Sequence, residues 1–353
     1  MRPLSLLNDN DVAKAALVIK KILIARRSHM KPKQLKKFLL SEIKLVSENV
    51  NEYCFSKGKD FTRKRKLSFE TVIKTLIGME SKSLSNELIT AFDTEPEMPS
   101  TSAFVQQRYK IKPEAFKAVF DGFTSRLINN TSTELRIFTI DGSDIQIATN
   151  PDDATSYFPG TNGQNPYNLL HLNALYDLNN HIYTDAIIQG GMDKNEHIAL
   201  QERVDNSDIL KALVIADRGY ESFNSMAHIQ EKGWFFLIRV KDGVNGIKNG
   251  LDLPATDCFD TDICLRLTRK QTNEVKELLK DKNHYRFISA TQPFDYLPLK
   301  NKKSDPTVFY ELKFRIVRFP ISEEGYETIV TNLDRTNYSS DELKKLYATR
   351  WGI

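Results

Sequence analysis

The spacing of apolar residues changes character near position 130. From position 11 to about 130, apolar residues recur every three or four positions, which is the period of an amphipathic helix. After a polar break at 129–133 the apolar runs become short and rich in β-branched residues, as in "LRIFTI" and "ALVIA", and such runs are typical of buried strands. The pattern predicts a helical N-terminal region followed by a mixed α/β region.

The α/β region has the element order of a mixed sheet. Its two buried strands are separated by "YNLLHLNALYDL" and "HIYTDAIIQ", which predict a hairpin around Asn179-Asn180, and by a short helix in "DKNEHIALQERVD". A helix in "SFNSMAHIQEKG" and a strand in "WFFLIRVK" follow. Beyond Asp242 the chain is strand-rich, with one longer helix in "TRKQTNEVKELLK". We predict four parts: a helical region at 1–130, the first part of an α/β core at 131–241, a β-rich insertion at 242–335, and the start of a core helix at 336–353.

Basic residues are concentrated in the helical region. The overall charge is +4, yet Met1 to Glu70 carries seventeen Lys plus Arg against seven Asp plus Glu, a balance of +10 that leaves −6 for the rest. Within this part, "KGKDFTRKRK" ends in a basic run of four, Arg63, Lys64, Arg65 and Lys66. A solvated helical face is the plainer interpretation of a single charged run. The concentration favours binding to a phosphate backbone, so we predict that this region binds DNA.

Composition excludes several other classes of protein. A hydrophobic content of 40% and a charged content of 27% are ordinary for a globular protein. No apolar run approaches the roughly 18 residues of a membrane span, and the N-terminus lacks a signal-peptide pattern, so we predict a cytoplasmic protein without membrane contact. Three cysteines, Cys54, Cys258 and Cys264, match no zinc spacing and indicate neither a disulfide framework nor a structural metal.

Asp141 and Asp217 each follow a short buried strand directly, in "TIDGSD" and "VIADRGYES". A carboxylate at the end of a central strand must find a cation or hydrogen-bond donors, because its surroundings are dry. For either residue alone a simpler role remains open, since Asp-Gly and Asp-Arg-Gly are good turn sequences. As a pair, in the order strand, hairpin, helix, strand, they fit a ribonuclease-H-like mixed sheet. Carboxylates in such a sheet hold two Mg²⁺ ions about 4 Å apart across a scissile phosphate.

A site of this kind needs a third carboxylate, usually from a helix packed on the sheet. The α/β region offers several other carboxylates, but none is predicted to have that setting, and we expect all of them to be surface charges: Glu134, Asp144, Asp185, Asp193 and Glu196. The C-terminal segment does predict a helix, because Ser339 and Glu342 have the spacing of a capping box. Tyr347 and Arg350 lie on one face of that helix.

The motif Y-x-x-R formed by Tyr347 and Arg350, with "TIDGSD", "VIADRGYES" and "KGWFFLIRVKD" before it, resembles a known family. Bacterial insertion-sequence transposases of the IS-four group are DDE enzymes that carry Y-x-x-R-x-x-x-E-x-x-x-x-x-x-K on a core helix. The resemblance covers roughly Ser102 to Ile353, and the helical region more loosely. It implies an α/β, ribonuclease-H-like fold with a β-rich insertion and an N-terminal helical domain. It also implies DNA strand cleavage and transfer that depend on Mg²⁺ (or Mn²⁺).

The resemblance also assigns roles to individual residues. Asp141 and Asp217 would be the first two metal ligands, and Tyr347 and Arg350 would contact DNA phosphates near the cut. Beside Asp217, two further side chains would touch the DNA backbone or pack in the turn, namely Arg218 and Tyr220. The third ligand would fall immediately after Ile353, so we expect this chain to bind DNA but to cut it poorly.

Double-stranded DNA is the partner that the resemblance implies, both as the inverted repeats of an insertion sequence and as the target. The chain would act as a dimer on that DNA, in the bacterial cytoplasm and associated with the nucleoid. Two alternatives remain open: a non-catalytic DNA-binding relic or competing truncated transposase, and a ribonuclease-H-like nuclease unrelated to transposition.

Overall fold

A computed structural model describes residues 31–63, 65–80, 82–93, 98–128, 135–161, 163–241, 246–299, 309–322 and 325–352. These residues form two compact units, a helical one within Arg26–Asn130 and an α/β one within Thr131–Ile353. The predicted helical pattern before residue 31 lies outside the described residues, as do Lys64 and Glu134. No helix within the described ranges is long and apolar enough to cross a membrane.

The helical unit contains α1 (Pro32–Glu48), α2 (Val50–Tyr53), α3 (Phe69–Ile77), α4 (Leu84–Phe92), α5 (Thr101–Arg108) and α6 (Glu114–Leu127). Ser68, Ser83 and Ser100 cap α3, α4 and α5, because each hydroxyl accepts a hydrogen bond from a backbone N–H of the first turn. The apolar faces of the helices bury a shared core that includes Val72 and Phe104, both 0% exposed. Amphipathic spacing therefore accounts for this unit.

The α/β unit begins with β1 (Arg136–Ile147), β2 (Tyr157–Phe158), β3 (Tyr167–Asp177), β4 (Ile182–Gly190), α7 (Glu196–Asn206), β5 (Ala212–Ala216), α8 (Phe223–Glu231) and β6 (Phe235–Arg239). It continues with β7 (Phe259–Thr268), α9 (Asn273–Leu278), β8 (Tyr285–Phe287), β9 (Tyr310–Pro320), β10 (Tyr326–Thr331) and α10 (Ser340–Ala348). Short 3-10 turns follow β5 and α10, at Arg218–Tyr220 and Thr349–Gly352. The hairpin and the helices predicted in this region are present.

The ten strands form one sheet in the order β2-β3-β1-β5-β6-β10-β9-β7-β8, with β4 also paired to β3. β3 is antiparallel to β1 and to β4, whereas β5 is parallel to β1 and β6 is parallel to β5. Parallel neighbours need a crossover, and α7 and α8 lie in these two crossovers. Three antiparallel strands beside two parallel ones make a ribonuclease-H-like sheet, which confirms the predicted fold class.

Strands from the predicted insertion continue the same sheet. β10 pairs antiparallel with β6 and with β9, and β7 pairs with β9. If β6 were an edge strand, it would expose a row of unpaired backbone N–H and C=O groups. β10 pairs with β6 and supplies hydrogen-bond partners for these groups. The sequence pattern showed these strands but not the edge to which they add.

Both faces of the sheet are covered, which explains the unbroken apolar run of β5. Val214 and Ala216 belong to the core cluster that also contains residues of α7 and α8. Leu213 and Ile215 belong to the opposite cluster, which contains the apolar residues of α10. A strand that is buried on both faces does not alternate between apolar and polar residues. The continuous apolar run "ALVIA" therefore follows from the position of β5 in a sheet that has helices packed on both faces.

Candidate active site

The register of β1 and β5 brings Asp141 and Asp217 together. The strands run parallel, and their last paired residues are Thr139 and Ile215. Two residues further along both strands, the same register sets Asp141 opposite Asp217. β5 ends at Ala216, while β1 continues alongside β3. The two aspartates therefore share one position in the sheet, at the carboxyl end of β5.

Asp141 does not end its strand, as the sequence pattern predicted, but lies inside β1. β3 supplies the reason, because it is long enough to pair with β1 from Phe138 to Ile147 and so extends the strand past Asp141. The side chain of Asp141 is 61% exposed and that of Asp217 is 37% exposed. Both carboxylates are thus accessible to a cation or a substrate from solvent.

Arg350 lies between the two carboxylates. Its Nη2 atom donates a hydrogen bond to Asp141 Oδ1 at 3.2 Å and lies 3.5 Å from Asp217 Oδ2. The Arg350 side chain is only 8% exposed, so the arginine of this ion pair is largely shielded from water. The aspartate pair therefore already accommodates one positive group in this conformation.

Helix α10 positions Arg350. Its N-terminus has the predicted capping box, in which the Ser339 side chain accepts from the Glu342 N–H and the Glu342 side chain accepts from the Ser339 N–H. Leu343, Leu346 and Tyr347 then bury one face of the helix against the sheet, because they recur at helical spacing. The following 3-10 turn carries Arg350. The C-terminal segment thus brings a cationic side chain to the strand ends.

Tyr347 does not occupy the exposed position that a phosphate contact requires. The side chain is 2% exposed, and its hydroxyl has no hydrogen-bond partner among the described residues. Burial raises the pKa of Tyr347 to about 12. We therefore do not expect the predicted contact of Tyr347 with a DNA phosphate in this conformation.

Arg218 and Tyr220 follow β5 and were both predicted to touch the DNA backbone or to pack in the turn, but their environments differ. Asp217 Oδ1 accepts a hydrogen bond from the Gly219 N–H at 2.7 Å, so Asp217 does cap the turn, as its sequence allowed. Arg218 is exposed and can reach a phosphate backbone. Tyr220 is 1% exposed and belongs to the core, so we do not expect it to touch DNA in this conformation. Arg218 and Tyr220 lie in one turn of 3-10 helix, and because such a helix has three residues per turn, the two side chains leave it on different sides.

Glu196 has the setting that the sequence pattern did not reveal, since it is the first residue of a helix packed on the sheet. An added Cβ atom at Gly142 would lie 2.2 Å from Glu196 Oε1, and one at Gly219 would lie 3.5 Å from Glu196 Oε2. These glycines directly follow Asp141 and Arg218 in the chain. The carboxylate of Glu196 therefore lies over Gly142, on the face of the sheet that α7 covers, whereas the side chain of Asp141 contacts Arg350 on the face that α10 covers.

His171 and Asp144 flank this carboxylate. His171 Nε2 lies 3.1 Å from Glu196 Oε1, and His171 Nδ1 lies 2.6 Å from Asp144 Oδ1. Lys194 Nζ donates to Asp144 Oδ2 at 3.0 Å. The hydrogen bond from His171 and then that from Lys194 lower the pKa of Asp144. Asp144 is thus committed to its own partners, and Glu196 lies beside His171 over Gly142.

The remaining carboxylates weighed from the sequence do not reach the site by any contact seen in the described residues. Asp185 Oδ2 accepts a hydrogen bond from Arg203 Nε at 2.8 Å, and the two residues join β4 to α7. Asp193 is exposed in the loop before α7. Asp193 fits the predicted role of surface charge, whereas Asp185 is paired with Arg203.

The donor set fits a divalent cation, although not in its present arrangement. Carboxylate oxygens are the ligands that Mg²⁺ prefers, and Asp141 and Asp217 supply them. Among the described residues no three His, Cys, Asp or Glu side chains are gathered closely enough to hold a metal as they stand. The guanidinium of Arg350 lies where a cation would contact the two aspartates.

The predicted DNA-binding residues of the helical unit lie between α2 and α3. Arg63, Arg65 and Lys66 are exposed there, as a phosphate contact requires. In the α/β unit, Arg269 donates to the carbonyl oxygens of Ser289, Gln292 and Phe294. Arg269 therefore holds a loop in place.

The family of this chain is identified by comparison with known proteins. A family profile described as the Transposase DDE domain matches residues 132–353. Among curated proteins, no sequence is similar enough to this chain to count as a relative. One similar solved structure is the piggyBac transposase synaptic complex with hairpin DNA, at 11% identity and a TM-score of 0.36, covering 95% of this chain and 67% of that one. Another is Kluyveromyces polysporus Argonaute with a guide RNA, at 8% identity and a TM-score of 0.19, covering 91% and 40%.

Both TM-scores lie below 0.5, so the identification depends on the family profile. The profile spans more than half of the 353 residues and includes both aspartates. The chain belongs to the family of transposases with a DDE domain.

Proposed function

We propose that this protein is a transposase of the IS-four group, which binds the ends of an insertion sequence and catalyses metal-dependent DNA strand cleavage and transfer. The observation that carries the proposal is the pair Asp141 and Asp217, set opposite each other by the β1–β5 register with a cationic group between them. Two carboxylates at this distance from one positive charge form a site that a divalent cation can take over.

Asp141 and Asp217 would hold Mg²⁺ or Mn²⁺ in this site. When bound, such ions activate the attacking oxygen and stabilise the leaving oxygen of a phosphodiester. The protein contributes the positions of the carboxylates: Asp141 lies inside β1, and Asp217 directly follows β5, where it accepts a hydrogen bond from the Gly219 N–H. Rigid strands hold catalytic groups more closely than loops do.

Arg350 supplies positive charge where the DNA phosphate must approach. A guanidinium carries five N–H donors in a planar fork and pairs with phosphate as readily as with carboxylate. The proposed role of Arg350 is therefore twofold: it balances the aspartates in the free protein and turns to a phosphate when DNA and metal are present. Arg218, exposed beside Asp217, is proposed as a second phosphate contact.

Double-stranded DNA is the proposed partner, as inverted repeats and as target, and the chain would work as a dimer on it. Arg63, Arg65 and Lys66, with Lys64, would bind the backbone and release counterions, which makes the affinity dependent on salt. The proposed location is the bacterial cytoplasm, in association with the nucleoid and not with a membrane. The domain limits predicted above, with a DNA-binding region at 1–130 and a core interrupted by an insertion, are retained as part of this proposal.

The test is strand cleavage by the protein encoded by its whole reading frame. The substrate is a DNA duplex carrying the inverted repeat that flanks the gene, with Mn²⁺ present. We expect cleavage at the end of the repeat, and we expect the Asp217→Asn variant to bind the same DNA without cutting it. Binding without cleavage by both proteins would favour the alternative of a non-catalytic DNA-binding protein. Cleavage that survives in the variant would contradict the proposed site.

A further inference from the structure

A β-bridge joins two segments of the helical unit that are distant in the sequence. It connects the loop that follows α2 to the linker between α5 and α6. The Phe55 N–H donates to the Lys110 carbonyl oxygen at 3.1 Å, so the two segments lie side by side. We call them the loop–linker surface, which comprises residues 54–63, 65–66 and, with the last residue of α5, 108–112.

Hydrogen bonds within the loop hold it in one conformation. Gly58 turns the chain at a φ of 70°, a value that favours glycine, and its N–H donates to Asn51 Oδ1 at 2.9 Å. The Ser56 N–H donates to Asp60 Oδ2 at 3.0 Å. Because these bonds already order the loop, a ligand that binds to it does not have to order it first.

The loop–linker surface is almost entirely basic. It contains one acidic residue, Asp60, and eight basic residues: Lys57, Lys59, Arg63, Arg65, Lys66, Arg108, Lys110 and Lys112. The ion pairs seen among the described residues of the helical unit involve other cations, namely Lys74, Lys82, Lys117 and Arg126. The charges of Lys57, Lys59 and Arg108 are therefore not balanced by these ion pairs, and a polyanion would find them available.

Two large aromatic side chains are exposed among these cations. Phe55 is 64% exposed and Tyr109 is 70% exposed. Arg108 Cζ lies 5.3 Å from the centroid of the Tyr109 ring, as in a cation–π pair. Surfaces that bind nucleic acid combine cations, which track the phosphates, with aromatic rings, which pack against bases. The loop–linker surface has both components.

A solvated charged loop is the simpler account of a basic run. That account applies to one run of sequence, whereas here the fold brings cations together from two separate segments. It also gives no reason for Phe55 and Tyr109 to face solvent among those cations. A phosphate backbone with its sugars and bases supplies partners for both kinds of side chain.

We propose that the loop–linker surface is an interface for duplex DNA, in which cations of both segments contact phosphates while Phe55 and Tyr109 pack against sugars or bases. This inference rests on the proposed function, because it takes DNA as the partner. It extends the contacts proposed for the basic run after α2 to the linker between α5 and α6, and it adds the two aromatic residues.

The experiment is an anisotropy titration of the full chain with a fluorescent duplex carrying the inverted repeat that flanks the gene, at several salt concentrations. The variants are the double substitution Lys57→Gln/Arg108→Gln and the single substitution Tyr109→Ala. We expect the double variant to lower the slope of log K against log salt by about 2, since each lost phosphate contact removes about 0.9. Tyr109→Ala should weaken binding about fivefold or more at an unchanged slope, because it removes a ring and no charge.

Matched controls come from the same helical unit. Lys74→Gln/Lys117→Gln removes two charges from exposed positions on α3 and α6, and Ile89→Ala removes an apolar side chain that is 54% exposed on α4. We expect all controls to keep the wild-type affinity and slope. All variants should keep the wild-type Tm, because the substituted side chains lie outside the core of the unit.

The outcomes separate this inference from the proposed function. Wild-type affinity and slope in both test variants overturn the loop–linker surface and leave the proposed function in place, because the chain still binds the duplex elsewhere. A wild-type chain that does not bind the duplex contradicts both. Losses in the controls equal to those in the test variants overturn the inference, since the effect is then one of general charge. Tighter binding to vesicles of anionic phospholipid than to the duplex also overturns it, because basic surfaces bind such membranes too.

Discussion

At the scale of single residues, the site is an arrangement of charges that balance one another without metal. Asp141 and Asp217 are partly exposed, and Arg350 offsets part of their negative charge from a buried position. Two unit charges 4 Å apart near a protein surface interact by about 4 kcal/mol. A divalent cation must therefore compete with the guanidinium for the same oxygens.

Replacing Arg350 by alanine should tighten metal binding to the DNA-free protein. The variant loses the competing cation and keeps both aspartates, so we expect the Kd for Mn²⁺ to fall about tenfold, which corresponds to about 1.4 kcal/mol. Lys345→Ala is the matched control, because it removes a positive charge from an exposed position on the same helix. An Arg350→Ala affinity equal to or weaker than that of Lys345→Ala, measured by calorimetry, would show that Arg350 does not compete for the site.

Individual residues differ in how far their roles follow from sequence. Asp141 and Asp217 could be singled out because each ends or nearly ends a buried apolar run, where a carboxylate is costly. Glu196 could not, since "NEHIALQERVD" gives an ordinary helix start, and only the fold shows that this start lies over Gly142. Tyr347 is the opposite case. Its spacing places it on the buried face of α10, but the Y-x-x-R motif alone does not show whether that face is buried or binds DNA.

At the scale of elements, a buried ion pair connects the added strands to the helix that carries Arg350. Arg315 on β9 donates to Asp260 on β7, with Nη2 2.5 Å from Oδ2. The same guanidinium donates to the carbonyl oxygens of Leu333 and Tyr338, at 3.0 and 3.1 Å. These carbonyls precede α10, so one arginine fixes the sheet and the approach to the helix together.

Replacing Asp260 by asparagine should destabilise the α/β unit. The Arg315 side chain is 4% exposed, and a buried charge that loses its partner costs about 3 kcal/mol or more. Asp262→Asn is the control, because that carboxylate is 68% exposed on the same strand and pairs with Arg335 at 3.0 Å. We expect the control to change the free energy of unfolding by less than about 1 kcal/mol. Chemical denaturation at pH 7 measures both, and equal effects would contradict the buried-pair account.

The pH dependence of that difference has a definite sign. Burial alone would raise the pKa of Asp260, but hydrogen bonds from Arg315 and Arg335 outweigh it and lower the pKa below its ordinary value of 3.8. A carboxyl with a lowered pKa contributes stability above its unfolded value and loses it as the pH falls. The gap between wild type and Asp260→Asn should therefore narrow below about pH 3.8. A gap that widens in acid would contradict the assignment.

The sequence predicted which helices and strands are present better than it predicted their lengths and their neighbours in the sheet. The period of the apolar residues located the hairpin, α7, α8 and β5, because local spacing decides these. It placed the end of β1 at Ile140, whereas β1 runs on to Ile147 because β3 pairs with it. Pairing between distant segments has no local signature, and so the edge at which β10 joins β6 was also beyond the sequence pattern.

At the scale of the whole molecule, one mixed sheet explains why the site forms where it does. β1 and β5 are central strands, with β3 on one side and β6 on the other, and helices cover both faces of the sheet. The aspartates lie where the parallel pairing of β1 with β5 ends. Beyond that point β1 is paired with the antiparallel strand β3. Both aspartates lie within the residues 132–353 that the family profile matches.

The most direct measurement is anomalous diffraction from crystals of the protein soaked in Mn²⁺. The account predicts an anomalous peak in contact with the carboxylates of Asp141 and Asp217, with the guanidinium of Arg350 moved away from both. Crystals of Asp217→Asn, soaked in the same way, should show the peak lost or much reduced. A wild-type map without a peak between the aspartates, in which Arg350 keeps its present contacts, would contradict the central claim that this pair is the metal site of a transposase.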